Sequence, residues 1–260
     1  NPLAQHEGQH ARRSQQRLLW SDADPSVPVP EGGTGLVEGS REWHDAIARA
    51  RFQMVNVHQL SAFEKPRGQK IIQTMHGYPF KVMGHEWWAK GSFAPAQVAT
   101  YDSRAREWDY FVSPATYATP LLSKAFLEPA GATPEVLEIG YPRNDVLLAA
   151  ERGAAVRRRT REVLGIRPDQ TAVLYAPTFR DYLSADDMRA EMVDFFDVRA
   201  AARRLGPDFV LLMRGHAFHA RAKQRYDETD SVIDVTDYPD INDLCLASDA
   251  AVLDYSSLRF

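Results

Sequence analysis

His76 sits directly after the apolar run Lys70-Ile71-Ile72-Gln73-Thr74-Met75 and just ahead of the turn Gly77-Tyr78-Pro79. An imidazole at a strand end, on a turn that lets a ligand approach the backbone, can take a proton from a hydroxyl at cellular pH. The same residue can equally be a hydrogen-bonded loop histidine. Arg214 and His216 stand two apart after Phe209–Met213, so in extended geometry they point to one side. That pairing around Gly215 suits a phosphate or diphosphate, or else a surface salt bridge. Ser256 and Ser257 follow Ala250–Leu253 and Asp254-Tyr255; their hydroxyls can seat a phosphate or simply cap a helix. Thr178 and Arg180, after Ala176-Pro177, invite the same two readings, and Arg143 in Gly140–Asp145 is placed to reach a phosphate or to mark a helix start. His216 and His219 have the i, i+3 spacing of a metal pair, but no neighbouring Asp, Glu or Cys completes a ligand set, so no metal is expected.

Short apolar runs must position these groups. Strands are expected at Phe52–Val57, Lys70–Thr74, Tyr110–Val112, Val136–Ile139, Thr171–Tyr175, Phe209–Met213, Val232–Val235 and Ala250–Leu253. They lack polar alternation, as strands buried on both faces do. Helical patterns lie between most of them: Glu42–Arg51 capped by Ser40, then Pro95–Trp108, Thr116–Phe126, Val156–Leu164 and Met188–Leu205. Alternating strands and helices predict an α/β fold with parallel sheets. Ligands of such sheets bind outside the carboxyl ends of the strands. Four strands here end in reactive side chains, which points to a cleft.

A composition break at Gly140–Gly165 separates two Rossmann-like halves, residues 41–145 and 146–260. Residues 1–40, rich in Gln, Gly, Pro, Ser and charge, read as polar and flexible, with at most a short helix near Arg17–Trp20. The chain begins on Asn1 and stops at Phe260 in mid-pattern, as a segment of a longer protein would.

Lys plus Arg number 31 against 35 Asp plus Glu, a formal charge of −4. No global field draws nucleic acid, so none is expected as a partner. The single cysteine, Cys245, excludes an internal disulfide and a Cys-based zinc site, and reads as a reducing compartment. No apolar run approaches the ~20 residues of a membrane span. The cluster Arg157–Arg161 is either a solvated helix face or a membrane-surface contact. No Gly-x-Gly-x-x-Gly, Walker A loop or Gly-x-Ser-x-Gly elbow occurs.

Five segments carry a resemblance. Gln73-Thr74-Met75-His76-Gly77-Tyr78-Pro79-Phe80-Lys81 resembles the Gln-Thr-Trp-His-Gly-Thr-Pro-Leu-Lys of the CDP-glycerol glycerophosphotransferases, the teichoic acid polymerases. Gly140–Asp145 is similar to their Gly-x-Pro-Arg-Asn-Asp, and Tyr175–Asp181 to their Tyr-Ala-Pro-Thr-Trp-Arg-Asp. Arg214-Gly215-His216 and Asp254-Tyr255-Ser256-Ser257 match their Arg-x-His and Asp-Tyr-Ser-Ser.

The resemblance implies a GT-B architecture, two Rossmann-like parallel-sheet domains facing a cleft, both incomplete here. It implies an acceptor domain at 41–145 and a donor domain at 146–260. The implied reaction moves glycerol phosphate from CDP-glycerol to a hydroxyl of a wall polymer and releases CMP, with no further cofactor. His76 would be the base. His216 and Arg214, with Gly215, would steady the diphosphate. Arg143, Pro177, Thr178, Arg180, Asp254, Ser256 and Ser257 would meet the donor, and Met75, Gly77, Tyr78, Pro79 and Lys81 around the base would bind substrate.

It further implies a lipid-linked acceptor, peripheral membrane contact and a cytoplasmic location at the inner membrane face. Met75 and Phe179 replace tryptophans, and Tyr78 replaces a threonine, which keeps ribitol or another polyol phosphate open. The family's donor-contacting Asp falls just past Phe260, so this segment alone is expected to bind donor weakly and to lack full transfer. A nucleotide-sugar glycosyltransferase and a non-catalytic nucleotide-binding relative are the other readings.

Overall fold

Short parallel strands build both halves of the molecule; Tyr110–Ser113, Thr171–Ala176 and Phe209–Met213 are buried nearly throughout as expected, whereas Phe52–Val55 and Glu135–Glu138 are part-exposed and Ala250–Leu253 is largely exposed. The computed structural model describes residues 2–12, 15–22, 29–59, 63–91, 93–177, 184–186, 189–190, 197–215 and 231–259. The chain divides into two compact units, Asn1–Arg143 and Asn144–Phe260.

The first unit opens with α1 (Pro2–Ala11) and the parallel pair β1 (Leu18–Asp22) and β2 (Gly33–Val37). This corrects the expectation that residues 1–40 hold no packed element, and Leu18–Trp20 is strand, not helix. The reason is local chemistry. The Trp20 indole donates to buried His6 Nδ1 at 2.9 Å, and His6 Nε2 bonds the Glu31 carbonyl at 2.9 Å. A polar node of this kind leaves no apolar period in the sequence.

Helix α2 (Arg41–Arg49) starts at Ser40, whose Oγ accepts the Trp43 N–H at 3.1 Å, as a cap should. The sheet that follows is parallel, β3 (Phe52–Val55), β4 (Lys70–Gln73), β5 (Tyr110–Ser113) and β6 (Glu135–Glu138), in sequential order. Asp109 fixes its register: Oδ2 accepts the Ile71 N–H at 2.8 Å, and the two carboxylate oxygens take Lys65 and Lys70. Burial opposes ionisation of Asp109, but these donors outweigh it and hold the carboxyl below its ordinary range.

Against this sheet pack α3 (His85–Trp88), α4 (Pro95–Ala105) and α5 (Thr119–Leu122), the last continued by a π-turn over Ser123–Leu127. Ile71, Phe111, Leu122 and Trp108 are core residues of this unit.

In the second unit α6 (Asp145–Leu148) and α7 (Ala150–Val163) lead into β7 (Thr171–Ala176). A small antiparallel pair, β8 (Ser184–Asp186) and β9 (Arg189–Ala190), precedes α8 (Val198–Leu205). Of the helix expected over Met188–Leu205, Arg189–Ala190 is strand and Val198–Leu205 is helix, capped by Asp197, which accepts the Ala200 N–H at 2.8 Å; residues 188 and 191–196 lie outside the described residues. Then come β10 (Phe209–Met213), β11 (Val232–Asp234), α9 (Ile241–Ala247) and β12 (Ala250–Leu253).

The sheet order is β11-β10-β7-β12, all parallel. Successive residues of β7 feed opposite faces. Ala172, Leu174 and Ala176 join Leu212 and Leu244 on one side, while Val173 joins Leu211, Val198 and Ala202 on the other. Burying a leucine such as Leu174 or Leu212 stabilises the fold by about 2 kcal/mol.

The arginine cluster splits in two. Arg157 donates to the Leu246 and Ser248 carbonyls and Arg161 to those of Ala247, Arg167 and Gln170, and both pair with Asp249. They satisfy carbonyls that the end of α9 leaves open. Arg158 and Arg159 are exposed.

Candidate active site

In the first unit the reactive residues gather where parallel strands end. Gln73, the last residue of β4, is 1% exposed and holds both sides of the turn. Its Oε1 accepts the Met75 N–H at 2.9 Å and its Nε2 donates to the Val57 carbonyl at 3.2 Å. Thr74 extends the pairing with β3 through its N–H to the Val55 carbonyl, 2.8 Å. Met75 is buried and takes a left-handed backbone, φ +50°, a conformation that costs a non-glycine residue about 1–2 kcal/mol. The turn is therefore tightly specified.

His76 follows on the exposed side of that turn, its Nδ1 2.9 Å from the Asn56 carbonyl oxygen at the end of β3. A carbonyl only accepts, so Nδ1 carries the hydrogen and Nε2 is left with a lone pair. This is the orientation of a general base. Gly77, Tyr78 and Pro79 are half-buried beyond it and Lys81 is exposed. The Gly77 carbonyl accepts the Tyr141 hydroxyl at 2.8 Å. Arg143 lies 5.3 Å from the Tyr141 ring centroid, in cation–π contact. Met75, His76, Gly77, Tyr78, Pro79 and Arg143 are thus brought to one edge, at the ends of β4 and β6.

Beside the turn, His58 lies against Tyr101 at 4.6 Å between ring centroids, and within 5.5 to 6.3 Å of Trp108, Trp88 and Phe126. Burial lowers its pKa to about 4, against the attraction of Asp102 and helped by repulsion from His76. Asp102 itself bonds His85 Nε2 at 2.7 Å.

The second unit has the strand order of a mononucleotide-binding half, with the direction of winding reversing between β7 and β12. A crevice outside those two carboxyl ends is where such a sheet takes its ligand. Pro177 follows β7, and Asp254, Ser256 and Ser257 follow β12. Ser256 Oγ accepts the Leu258 N–H at 3.1 Å, so the capping reading of this hydroxyl is realised.

Arg214 follows β10 and is half-buried; Nη1 donates to the Val235 and Tyr238 carbonyls at 3.3 and 2.7 Å. Burial lowers its pKa, opposed by Asp240. The Gly215 N–H is taken by Thr236 Oγ1 at 2.9 Å. His216, Thr178 and Arg180 lie outside the described residues, as does His219. Among the described residues no cluster of three His, Cys, Asp or Glu stands in metal-binding geometry, and no helix is long and apolar enough to cross a membrane.

The model of the CDP-glycerol:poly(glycerophosphate) glycerophosphotransferases matches residues 1–260. The chain belongs to that family. It is 31% identical over 250 residues to a teichoic acid poly(glycerol phosphate) polymerase of Staphylococcus epidermidis, covering 94% of this chain and 34% of that protein. It is 33% identical over 225 residues to a teichoic acid glycerol-phosphate transferase of Staphylococcus aureus, covering 85% and 56%. The chain therefore spans between about a third and three fifths of these relatives.

Among solved structures, a histidine-to-asparagine variant of the wall teichoic acid polymerase TagF soaked with CDPG superposes with a TM-score of 0.85 at 28% identity, covering 98% of this chain and 62% of that one. The parallel α/β fold, GT-B-like, is shared with it. Four residues of this candidate site were not singled out in the sequence: Gln73, Asn56, His58 and Tyr141. A buried glutamine closing a strand was the one visible signal. The Asn56 contribution is a backbone carbonyl, which no side-chain pattern encodes.

Proposed function

We propose that the protein moves glycerol phosphate from CDP-glycerol to a hydroxyl of a teichoic-acid-like wall polymer. The acceptor oxygen attacks the phosphorus that bears the glycerol, the bond from that phosphorus to the bridging oxygen breaks, and CMP leaves with the electron pair. The acceptor proton passes to His76 Nε2. The observation that carries this reading is the His76–Asn56 hydrogen bond, which leaves Nε2 as the proton acceptor.

Charge at the diphosphate is met by positioned donors, the main resource of phosphoryl transfer. Arg143 is assigned to the donor by its match to the family's Gly-x-Pro-Arg-Asn-Asp segment. Within the second unit, the switch point at β7 and β12 favours a donor seat at Pro177, Asp254, Ser256 and Ser257, and Thr178 and Arg180 are assigned to the donor by the family pattern alone. Arg214 contributes the guanidinium N–H groups other than those on the Val235 and Tyr238 carbonyls, and His216 is assigned to the diphosphate by its match to the family's Arg-x-His alone. A lipid-linked acceptor at the inner membrane face fits this chemistry, with no resident cofactor needed.

The test incubates the full-length gene product and a polymer acceptor with CDP-glycerol, CDP-ribitol or a UDP-sugar. CMP release and chain extension with CDP-glycerol are expected. UDP release from the sugar donor, or CDP-glycerol binding with no CMP released, would overturn the proposal.

A further inference from the structure

We infer that Tyr141 is a positioning residue for the transfer: its hydroxyl holds the turn that carries His76, and its ring holds the Arg143 guanidinium. The inference rests on the reading of His76 as base and Arg143 as a donor contact.

Tyr141 occupies the variable place of the Gly-x-Pro-Arg-Asn-Asp segment, where nothing in the pattern asks for a hydroxyl. It is nevertheless 2% exposed, and a buried phenol needs a partner. That partner is the Gly77 carbonyl, the residue directly after His76, at 2.8 Å. Burial raises the pKa of Tyr141 well above that of an ordinary phenol, with Arg143 opposing, so the hydroxyl keeps its proton and remains the donor.

The link is not local. Gly77 follows β4 and Tyr141 follows β6, two strands with β5 between them in the sheet. Gly140, at φ +78°, makes the turn that ends β6, a conformation glycine adopts without steric cost. The Tyr78 ring meets Tyr141 edge-on, 5.4 Å between centroids at 75°. The guanidinium of Arg143 stands over the same ring. One side chain therefore ties the base's turn to a cation, and its two functions sit on different atoms. The hydroxyl serves His76; the π face serves Arg143.

That separation makes the inference testable by steady-state kinetics on the full-length gene product. Tyr141→Phe keeps the ring and loses the hydroxyl: kcat should fall about tenfold, with KM for CDP-glycerol within about twofold of wild type. In a His76→Ala background the same substitution should change kcat by less than about twofold, since the hydroxyl acts through the base. Tyr141→Leu removes the ring as well and should raise the donor KM about fivefold. Wild-type kcat in Tyr141→Phe, or an equal loss with and without His76, would overturn the role and leave the hydroxyl to stability alone. A His76→Ala variant with wild-type turnover is a different result: it removes the base, and with it the hydroxyl's task.

Discussion

The His76 imidazole is held by a backbone oxygen, that of Asn56 on the neighbouring strand end, with Nδ1 at 2.9 Å. Adjacent parallel strands thus supply His76 and the group that orients its ring. Because Asn56 acts through its main chain, side-chain substitution there should leave the tautomer unchanged.

The tautomer itself is measurable. Nitrogen-15 shifts of the His76 ring, recorded at alkaline pH, should show hydrogen on Nδ1 and a bare Nε2. A neutral ring with hydrogen on Nε2 would mean that the lone pair faces the Asn56 carbonyl, and the geometry of the base would be lost.

His58 yields a pH dependence with a definite sign. Its pKa falls from an ordinary 6.5 to about 4 on burial among Tyr101, Trp88, Trp108 and Phe126, with Asp102 opposing and His76 reinforcing. Between those values the unfolded chain binds a proton that the folded chain does not, so stability is lost as pH drops from 6.5 toward 4. The loss from this residue is on the order of 2–3 kcal/mol. His58→Phe keeps the ring contacts and removes the titration. Urea unfolding across that range should show a shallower pH dependence in the variant; parallel curves would contradict the assignment.

Arg161 has a side chain 11% exposed and bonds that reach the Ala247, Arg167 and Gln170 carbonyls and Asp249. Arg161→Ala should cost about 3 kcal/mol in chemical denaturation. Arg161→Lys should recover only a small part, since an ammonium cannot span the guanidinium's fork. Arg158→Ala and Arg159→Ala, on the exposed side, should stay within about 0.5 kcal/mol. Equal costs at all three positions would contradict this division of the cluster.

Buried strands were the most legible part of the sequence. Phe209–Met213 coincides with β10, because a strand buried on both faces must be apolar throughout, and Ala250–Leu253 coincides with β12, an edge strand that is apolar although its first three residues are exposed. The position of the His76 turn was readable for a related reason: strands of a parallel sheet end on one edge, which is where His76 stands, after β4. Legibility failed where structure rests on polar contacts. The His6–Trp20 and Trp43–Ser21 hydrogen bonds organise the first forty residues without any apolar period. The strand at Arg189–Ala190 lay inside a helical pattern of which Val198–Leu205, capped by Asp197, is helix. Tyr141 was hidden in a variable position, since its role depends on Gly77, 64 residues away in sequence.

The most direct test of the account is CMP release from CDP-glycerol by the full-length gene product with and without His76. His76→Ala should lower kcat by roughly 100- to 10,000-fold, with the donor KM little changed. Turnover within a few-fold of wild type would contradict the assignment of Nε2 as the group that takes the acceptor's proton.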